Sequence, residues 1–153
     1  MSLGCTVRAD YPSATAPANV GAIEHRIRAQ RVLKELDVGH AADVWTKLAG
    51  MLEASDVDDL GELYHYDALY LEPYNPPHNG NLLIQAYIKD YLAGKDDIDV
   101  DEKRVIESED GRHLAVEWTI SYNAGGRRWN ELPRATMLEF DDDGLIVYQR
   151  DYT

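Results

Sequence analysis

Cysteine is almost absent from this chain of 153 residues, since Cys5 is the only one. A single cysteine excludes a disulfide within the chain. The sequence also lacks an apolar run near the roughly 18 residues that a membrane-spanning helix needs. Its N-terminus lacks the charged and then apolar pattern of a secretory signal. We therefore expect a cytoplasmic protein that does not bind membranes.

Basic residues are scarce too, with 15 Lys and Arg against 28 Asp and Glu and a net charge of -13. Such a surface repels phosphate backbones, so we expect no nucleic-acid partner. The basic cluster is Arg26, Arg28, Arg31 and Lys34, on a predicted N-terminal helix. A solvated helix face is the favoured interpretation of this cluster, and a contact with another protein is the alternative.

Motifs for metals and cofactors are missing as well. The five histidines lack the helical pairing and the cysteine partners that zinc usually takes. Residues 141–144 superficially suggest a calcium loop, yet they lack its alternating ligands and its final Glu, and they are typical of a hairpin turn. No glycine-rich phosphate loop, Ser-His-Asp order or reactive-cysteine setting is present. We predict neither a metal nor a cofactor.

The chain divides into three parts. Residues 1–20, rich in Ser, Thr, Ala and Pro, are predicted to be a disordered tail. Residues 21–38 have the apolar spacing of an amphipathic helix, and residues 39–153 are predicted to form one α+β domain. In that domain helical spacing predicts helices at 41–53 and 81–93, Asp56 is expected to cap a short helix at 57–63, and alternation predicts a strand at 65–74.

From residue 98 onward the apolar pattern has the period of strands. Strands are predicted at 98–108, 112–123, 128–140 and 145–152. Asp110-Gly111, Gly125-Gly126 and Asp143-Gly144 lie between them, at the spacing of hairpin turns. The order predicts an α+β fold in which helices pack on the concave face of a curved antiparallel sheet and enclose a pocket.

Three segments resemble one known family when they are taken in order. They are the strand Asp67-Ala-Leu-Tyr-Leu-Glu-Pro73 after Asp56, the helix start at Asn79-Gly80, and the ending Asp143-Gly-Leu-Ile-Val-Tyr-Gln-Arg-Asp-Tyr152. Residues 40–153 thereby resemble the nuclear transport factor 2-like superfamily, especially its SnoaL-like branch. The resemblance implies a cone-shaped α+β barrel that often pairs as a homodimer through its open sheet.

The resemblance also implies a site. In ketosteroid isomerase the position matching Glu72, likewise followed by proline, is the carboxylate that moves the proton. In limonene-1,2-epoxide hydrolase the positions matching Tyr70 and Glu72 hold the attacking water, and Asp151 falls on a catalytic aspartate. We therefore take Glu72, Asp151 and Tyr70 as the candidate catalytic residues. Two carboxyl groups in one apolar cavity would not both ionise easily, so they could serve as acid and base.

Neither enzyme's site is complete in this chain. The isomerase's oxyanion tyrosine and protonated aspartate fall on Leu48 and Thr136. The hydrolase's arginine and second aspartate fall on Trp118 and Ile120. The reaction class therefore stays open.

Other side chains are candidates for lining the pocket. Arg134 could hold an anionic substrate or make a surface salt bridge, and Trp118 and Trp129 could line a cavity or pack in the core. Glu117 is expected on the outer face of the sheet, opposite to Trp118. The predicted substrate-binding set is Trp45, Leu48, Tyr74, Tyr87, Trp118, Ile120, Arg134, Thr136 and Gln149.

The sequence thus predicts a cofactor-free enzyme that does acid/base chemistry on a small hydrophobic molecule, as an isomerase, cyclase, dehydratase or hydrolase. The alternative is a domain that binds a small molecule without turnover, or a dimerising accessory domain. A fold of this kind does not by itself decide between them.

Overall fold

The structure, a computed structural model, describes residues 41–153. The predicted disordered tail (1–20) and the predicted amphipathic helix (21–38), with its basic cluster, lie outside the described residues. The described elements are α1 (Ala41–Ala54), a short 3-10 helix (Leu60–Leu63), β1 (Tyr64–Leu71), β2 (His78–Asn79), α2 (Asn81–Leu92), β3 (Asp96–Glu107), β4 (His113–Ala124), β5 (Arg127–Phe140) and β6 (Ile146–Tyr152).

The six strands form one curved sheet in the order β2-β1-β6-β5-β4-β3. Strands β3 to β6 pair as an antiparallel meander, and β2 also pairs with β1 in antiparallel fashion. Strands β1 and β6 are parallel, with Tyr70 opposite Gln149. The sheet is not closed, because β2 and β3 are its two edges. The predicted α+β class, with helices against a curved sheet, is confirmed.

The predicted hairpin turns are confirmed. Between β4 and β5, Gly125 and Gly126 have φ of 59° and 75°, which is the pair of positive values that a two-residue type I′ turn requires. Between β5 and β6, the carboxylate of Asp141 accepts hydrogen bonds of 2.9 Å from the backbone N–H groups of Asp143 and Leu145. The side chain of Asp141 therefore stabilises the turn in which the acidic run 141–143 lies.

The expected cap at Asp56 is wrong. The short helix begins only at Leu60, and its N-cap position is Asp59, which makes no side-chain cap bond. Asp56 instead helps to end α1, because its backbone N–H donates to the carbonyl of Met51 (3.1 Å) just after Ser55 adopts a φ of 52°. A backbone bond of this kind satisfies a carbonyl that the end of a helix leaves unpaired.

The core lies between the two helices and one face of the sheet. From α1, Trp45 packs against Trp118 of β4 with ring centroids 5.3 Å apart. From α2, Ile84 and Ile88 are buried in the same cluster. Each large apolar side chain buried in this way stabilises the fold by roughly 1.5–3 kcal/mol. No helix among residues 41–153 is both long and apolar enough to cross a membrane.

Candidate functional site

A small cavity of about 70 Å³ lies inside this core. Its wall combines side chains of both helices with the inner faces of β1, β4, β5 and β6. The residues that line it are Trp45, Leu48, Leu52, Tyr70, Glu72, Tyr87, Ile88, Tyr91, Trp118, Ile120, Arg134, Gln149, Asp151 and Thr153. Aromatic and aliphatic groups therefore surround a few polar ones, as is usual for a small-molecule site.

Ten of the twelve predicted site residues line this cavity. The two exceptions are Tyr74 and Thr136. Tyr74 is 82% exposed, because β1 ends before Pro73 and the following turn carries the tyrosine outward. Thr136 is buried behind the cavity wall, where it contacts Asp151. Trp129 also lies elsewhere, against Tyr122 and Arg127 at the end of the β4–β5 hairpin.

The carboxylate of Asp151 accepts three hydrogen bonds from neighbouring side chains. The phenol of Tyr70 donates to Oδ2 over 2.7 Å. The hydroxyl of Thr136 and the amide of Gln149 donate to Oδ1 over 2.8 Å and 3.0 Å. Three donors fix the position of this carboxylate and stabilise its charged form.

Two of these donors, Thr136 and Gln149, accept hydrogen bonds from further buried side chains. The indole of Trp118 donates to the hydroxyl oxygen of Thr136 over 3.0 Å, and the phenol of Tyr64 donates to the side-chain oxygen of Gln149 over 2.6 Å. Such second partners determine which way each hydroxyl and amide points. The network therefore presents Asp151 in one fixed orientation.

Burial shifts the ionisation of this network. Burial raises the pKa of the Asp151 carboxyl above its ordinary value, although the hydrogen bonds from Tyr70, Gln149 and Thr136 and the charge of Arg134 oppose the shift. Burial also raises the pKa of Tyr70, and the nearby Asp151 adds to that effect. Tyr70 is therefore a neutral hydrogen-bond donor, and Asp151 is a group that can hold a proton more readily than a surface aspartate.

Glu72 is less constrained than Asp151. Its Oε1 is buried and has no hydrogen-bond partner in residues 41–153. Beside it lies Tyr87, whose pKa is raised by burial and then by the charge of Glu72 and a hydrogen bond with it. The Tyr87 hydroxyl also accepts a 3.3 Å hydrogen bond from Asn75. Glu72 thus offers one unoccupied carboxylate oxygen beside the cavity.

His78 is a neighbour of the site that the sequence analysis did not identify. Its ring stacks on Tyr87, with centroids 4.0 Å apart, and on Tyr70 at 5.8 Å. Its Nε2 is buried without a partner among the described residues. It pairs with Tyr70 across β1 and β2, so Glu72 is its diagonal neighbour on the same face of the sheet. Strand β2 is only two residues long, so no alternating sequence pattern could have predicted that His78 lies beside the site.

Four further lining residues were also missed, namely Leu52, Ile88, Tyr91 and Thr153. The helical spacing of Tyr87, Ile88 and Tyr91 could have indicated the two on α2. Thr153 follows β6, and no sequence pattern at that position indicated that it lines the cavity. Among residues 41–153, no group of three or more His, Cys, Asp or Glu side chains is arranged to hold a metal ion.

Comparison with known proteins agrees with this fold. The family model described as the SnoaL-like domain matches residues 45–149, which include all of α1 except its first turn, all of α2, and all the strands except the end of β6. No curated protein matches this chain significantly.

Solved structures with the same fold are similar to this chain. A Pseudomonas aeruginosa steroid delta-isomerase shares 28% identity and a TM-score of 0.57, over 74% of this chain and 79% of its own. A Catenulispora acidiphila protein with a ketosteroid isomerase-like fold, solved in complex with trimethylamine, has 19% identity and a TM-score of 0.63, over 72% of this chain and 84% of its own. A Jannaschia sp. CCS1 protein classed among SnoaL-like polyketide cyclases has 15% identity and a TM-score of 0.63, over 73% and 83%.

Proposed function

Because the chain belongs to the SnoaL-like domain family, we propose that it is an enzyme that moves a proton on a small hydrophobic molecule, with Glu72 as the base and Asp151 as the acid. The reaction is an isomerisation, cyclisation, dehydration or hydrolysis, and the chain's own side chains supply the groups that it needs. The isomerase and the cyclase-class protein among the structural relatives support this choice.

The observation that carries the proposal is the unpartnered Oε1 of Glu72 beside a cavity that also contains Asp151. A buried carboxylate oxygen without a donor is costly for the folded protein, by roughly 1–3 kcal/mol. A ligand that brings a proton to this oxygen removes that cost. Base catalysis requires such an oxygen within reach of the ligand.

The acid half depends on the bond between Tyr70 and Asp151. While Asp151 is ionised, the phenol proton of Tyr70 is directed to Oδ2. When Asp151 is protonated, its own O–H can donate to the phenol oxygen, and the Tyr70 proton becomes free to turn toward the cavity. Tyr70 would then donate a hydrogen bond to the ligand, and Asp151 would replace any proton that Tyr70 gives up.

A proton shift on a simple probe tests this proposal. We expect the full-length protein to accelerate the conversion of cyclohex-3-enone to cyclohex-2-enone, because Glu72 can take the proton from the carbon between the alkene and the carbonyl. In deuterium oxide the product should acquire deuterium. General acid–base catalysis contributes about 10²–10⁴-fold, so Glu72→Gln should lower the rate by about 100-fold or more. Asp151→Asn should lower it as well.

Glu109→Gln is the matched control, since Glu109 is exposed in the turn between β3 and β4 and the substitution removes the same charge. Its rate should equal the wild-type rate. A Glu72→Gln variant as fast as the wild type would refute the assignment of the base. A wild-type protein that binds the probe but does not turn it over would instead favour the alternative, a binding or accessory domain without catalysis.

We also propose that the protein is a homodimer that pairs through the outer face of its sheet. Ile106, Ala115 and Met137 lie in a row across β3, β4 and β5, and Tyr152 lies beside Met137. Ile106 is 59% exposed, Met137 49% and Tyr152 41%. Light scattering should give twice the 17.3 kDa chain mass, and Ile106→Glu with Met137→Glu should give the monomer. A monomeric wild type would refute this pairing.

A further inference from the structure

Arg134 is a cation in the cavity wall that lacks an anion. It lines the cavity and is half-buried. Its Nη1 donates a 3.2 Å hydrogen bond to the carbonyl of Pro133, the residue next to it. Among residues 41–153 no carboxylate lies within ion-pair distance of it. A guanidinium has five N–H donors in a planar fork, so most of its donors remain unused.

Lys95 is a second cation near Arg134. Its Nζ lies 4.0 Å from the ring centroid of Tyr91 and 5.3 Å from that of Tyr122, and it donates to the backbone carbonyl of Tyr91. Burial lowers the pKa of Lys95 and the positive charge of Arg134 lowers it further, while the negative charge of Asp90 opposes the shift. No carboxylate of the described residues forms an ion pair with Lys95 either. Tyr91, against which it packs, lines the cavity.

Arg134 and Lys95 differ from the other unpaired cations of residues 41–153, because Arg134 lines the cavity and Lys95 packs on Tyr91, which also lines it. Some other cations of the described residues do form ion pairs, as Lys89 does with Asp58 and Arg128 does with Asp97. The charge of Arg134 acts on Asp151, yet the two carboxylate oxygens of Asp151 already accept hydrogen bonds from Tyr70, Thr136 and Gln149. The charge of Arg134 disfavours the charged form of Lys95, and this repulsion raises the energy of the folded protein. An anionic group from outside the chain would remove this repulsion.

We propose that Arg134, assisted by the charge of Lys95, binds the carboxylate of the ligand, so that the substrate is a small organic acid whose apolar part enters the cavity that Trp45 and Trp118 help to line. The inference rests on the proposed function only in that Glu72 acts on the same ligand. A planar guanidinium fork matches both oxygens of a carboxylate. The small size of the cavity, about 70 Å³, favours a short acid.

Two probes of nearly identical shape test the site, crotonate and its neutral amide, crotonamide. Their dissociation constants can be measured on the full-length protein by NMR chemical-shift titration. A charge-assisted hydrogen bond to a carboxylate contributes about 1.5–3 kcal/mol, so crotonate should bind about ten-fold or more tightly. Arg134→Gln should abolish most of this preference, and Lys95→Gln should reduce it. Arg134→Lys should retain part of it, because the charge stays and the fork is lost.

Arg112→Gln is the matched control, because Arg112 is exposed in the turn between β3 and β4 and the substitution removes the same charge. Its preference for crotonate should equal that of the wild type. Equal binding of the two probes, no binding of crotonate at tens of millimolar, or a preference that survives Arg134→Gln would each overturn the proposal. Glu72→Gln separates this inference from the proposed catalysis, since it should keep the preference for crotonate while proton transfer is lost.

Discussion

Tyr70 and Asp151 are 81 residues apart in sequence, yet the phenol of one donates a 2.7 Å hydrogen bond to the carboxylate of the other. The parallel pairing of β1 with β6 makes this contact. Its consequence is a chain of hydrogen bonds in which each proton has one preferred direction. The pKa of Asp151 is raised by burial and lowered by the hydrogen bonds that Tyr70, Gln149 and Thr136 donate to it.

The first prediction concerns Thr136, which connects Trp118 to Asp151. Thr136→Val keeps the shape of the side chain but leaves the buried indole N–H without an acceptor and removes one donor from Asp151. We expect the free energy of unfolding to fall by about 1–3 kcal/mol, measured by urea denaturation. Thr119→Val on the same sheet, where the half-exposed hydroxyl makes no such connection, should change it by less than about 0.5 kcal/mol. Equal effects of the two substitutions would contradict this role.

The second prediction concerns pH. Because burial raises the pKa of Asp151, the folded protein binds this proton more tightly than the unfolded chain does. The stability that the group contributes is therefore present below its unfolded pKa of about 3.9 and is lost as the pH rises through the raised folded pKa. Asp151→Asn removes this dependence.

We thus expect the free energy of unfolding of Asp151→Asn, relative to the wild type, to increase as the pH rises from about 4 toward neutrality. Urea denaturation at several pH values measures this difference. A difference that stays constant across that range would show that the carboxyl has the same pKa in the folded and unfolded states.

The third prediction concerns His78, whose stacked ring carries an unpartnered buried nitrogen. His78→Phe retains the stacking on Tyr87 and removes the unpaired polar atom. Since such an atom costs roughly 1–3 kcal/mol, the variant should be at least as stable as the wild type, while His78→Ala should be less stable. Thermal unfolding of both variants checks this. A large loss of stability in His78→Phe would mean that the nitrogen has a partner.

Much of the fold could be predicted from the sequence because its signals are local. The turn dipeptides and the alternating strands predict β3 to β6 to within about two residues, which is the usual uncertainty of strand ends. The parallel neighbour of β1 could not be predicted in this way, since pairing between β1 and β6 is set by the packing of the whole sheet. The two-residue strand β2 was missed for lack of any pattern.

The residues of the candidate site could be predicted from the sequence only in part. Glu72, Tyr70 and Asp151 followed from the family resemblance, and alternation alone would have placed them on inner faces without bringing them together. The unpartnered Arg134 and Glu72 could not be recognised from sequence, because the absence of a partner depends on every neighbour in space. The catalytic roles of these residues stay predictions.

The most direct measurement is an NMR titration of the Asp151 side-chain carboxyl in the wild type and in Glu72→Gln. If the two carboxyl groups share one low-polarity cavity, the wild-type group should titrate above the ordinary aspartate value of about 3.9. Removal of the Glu72 charge should then move the titration to lower pH, because a like charge disfavours ionisation. An Asp151 carboxyl that titrates at the ordinary value, and at the same pH in both proteins, would contradict the account.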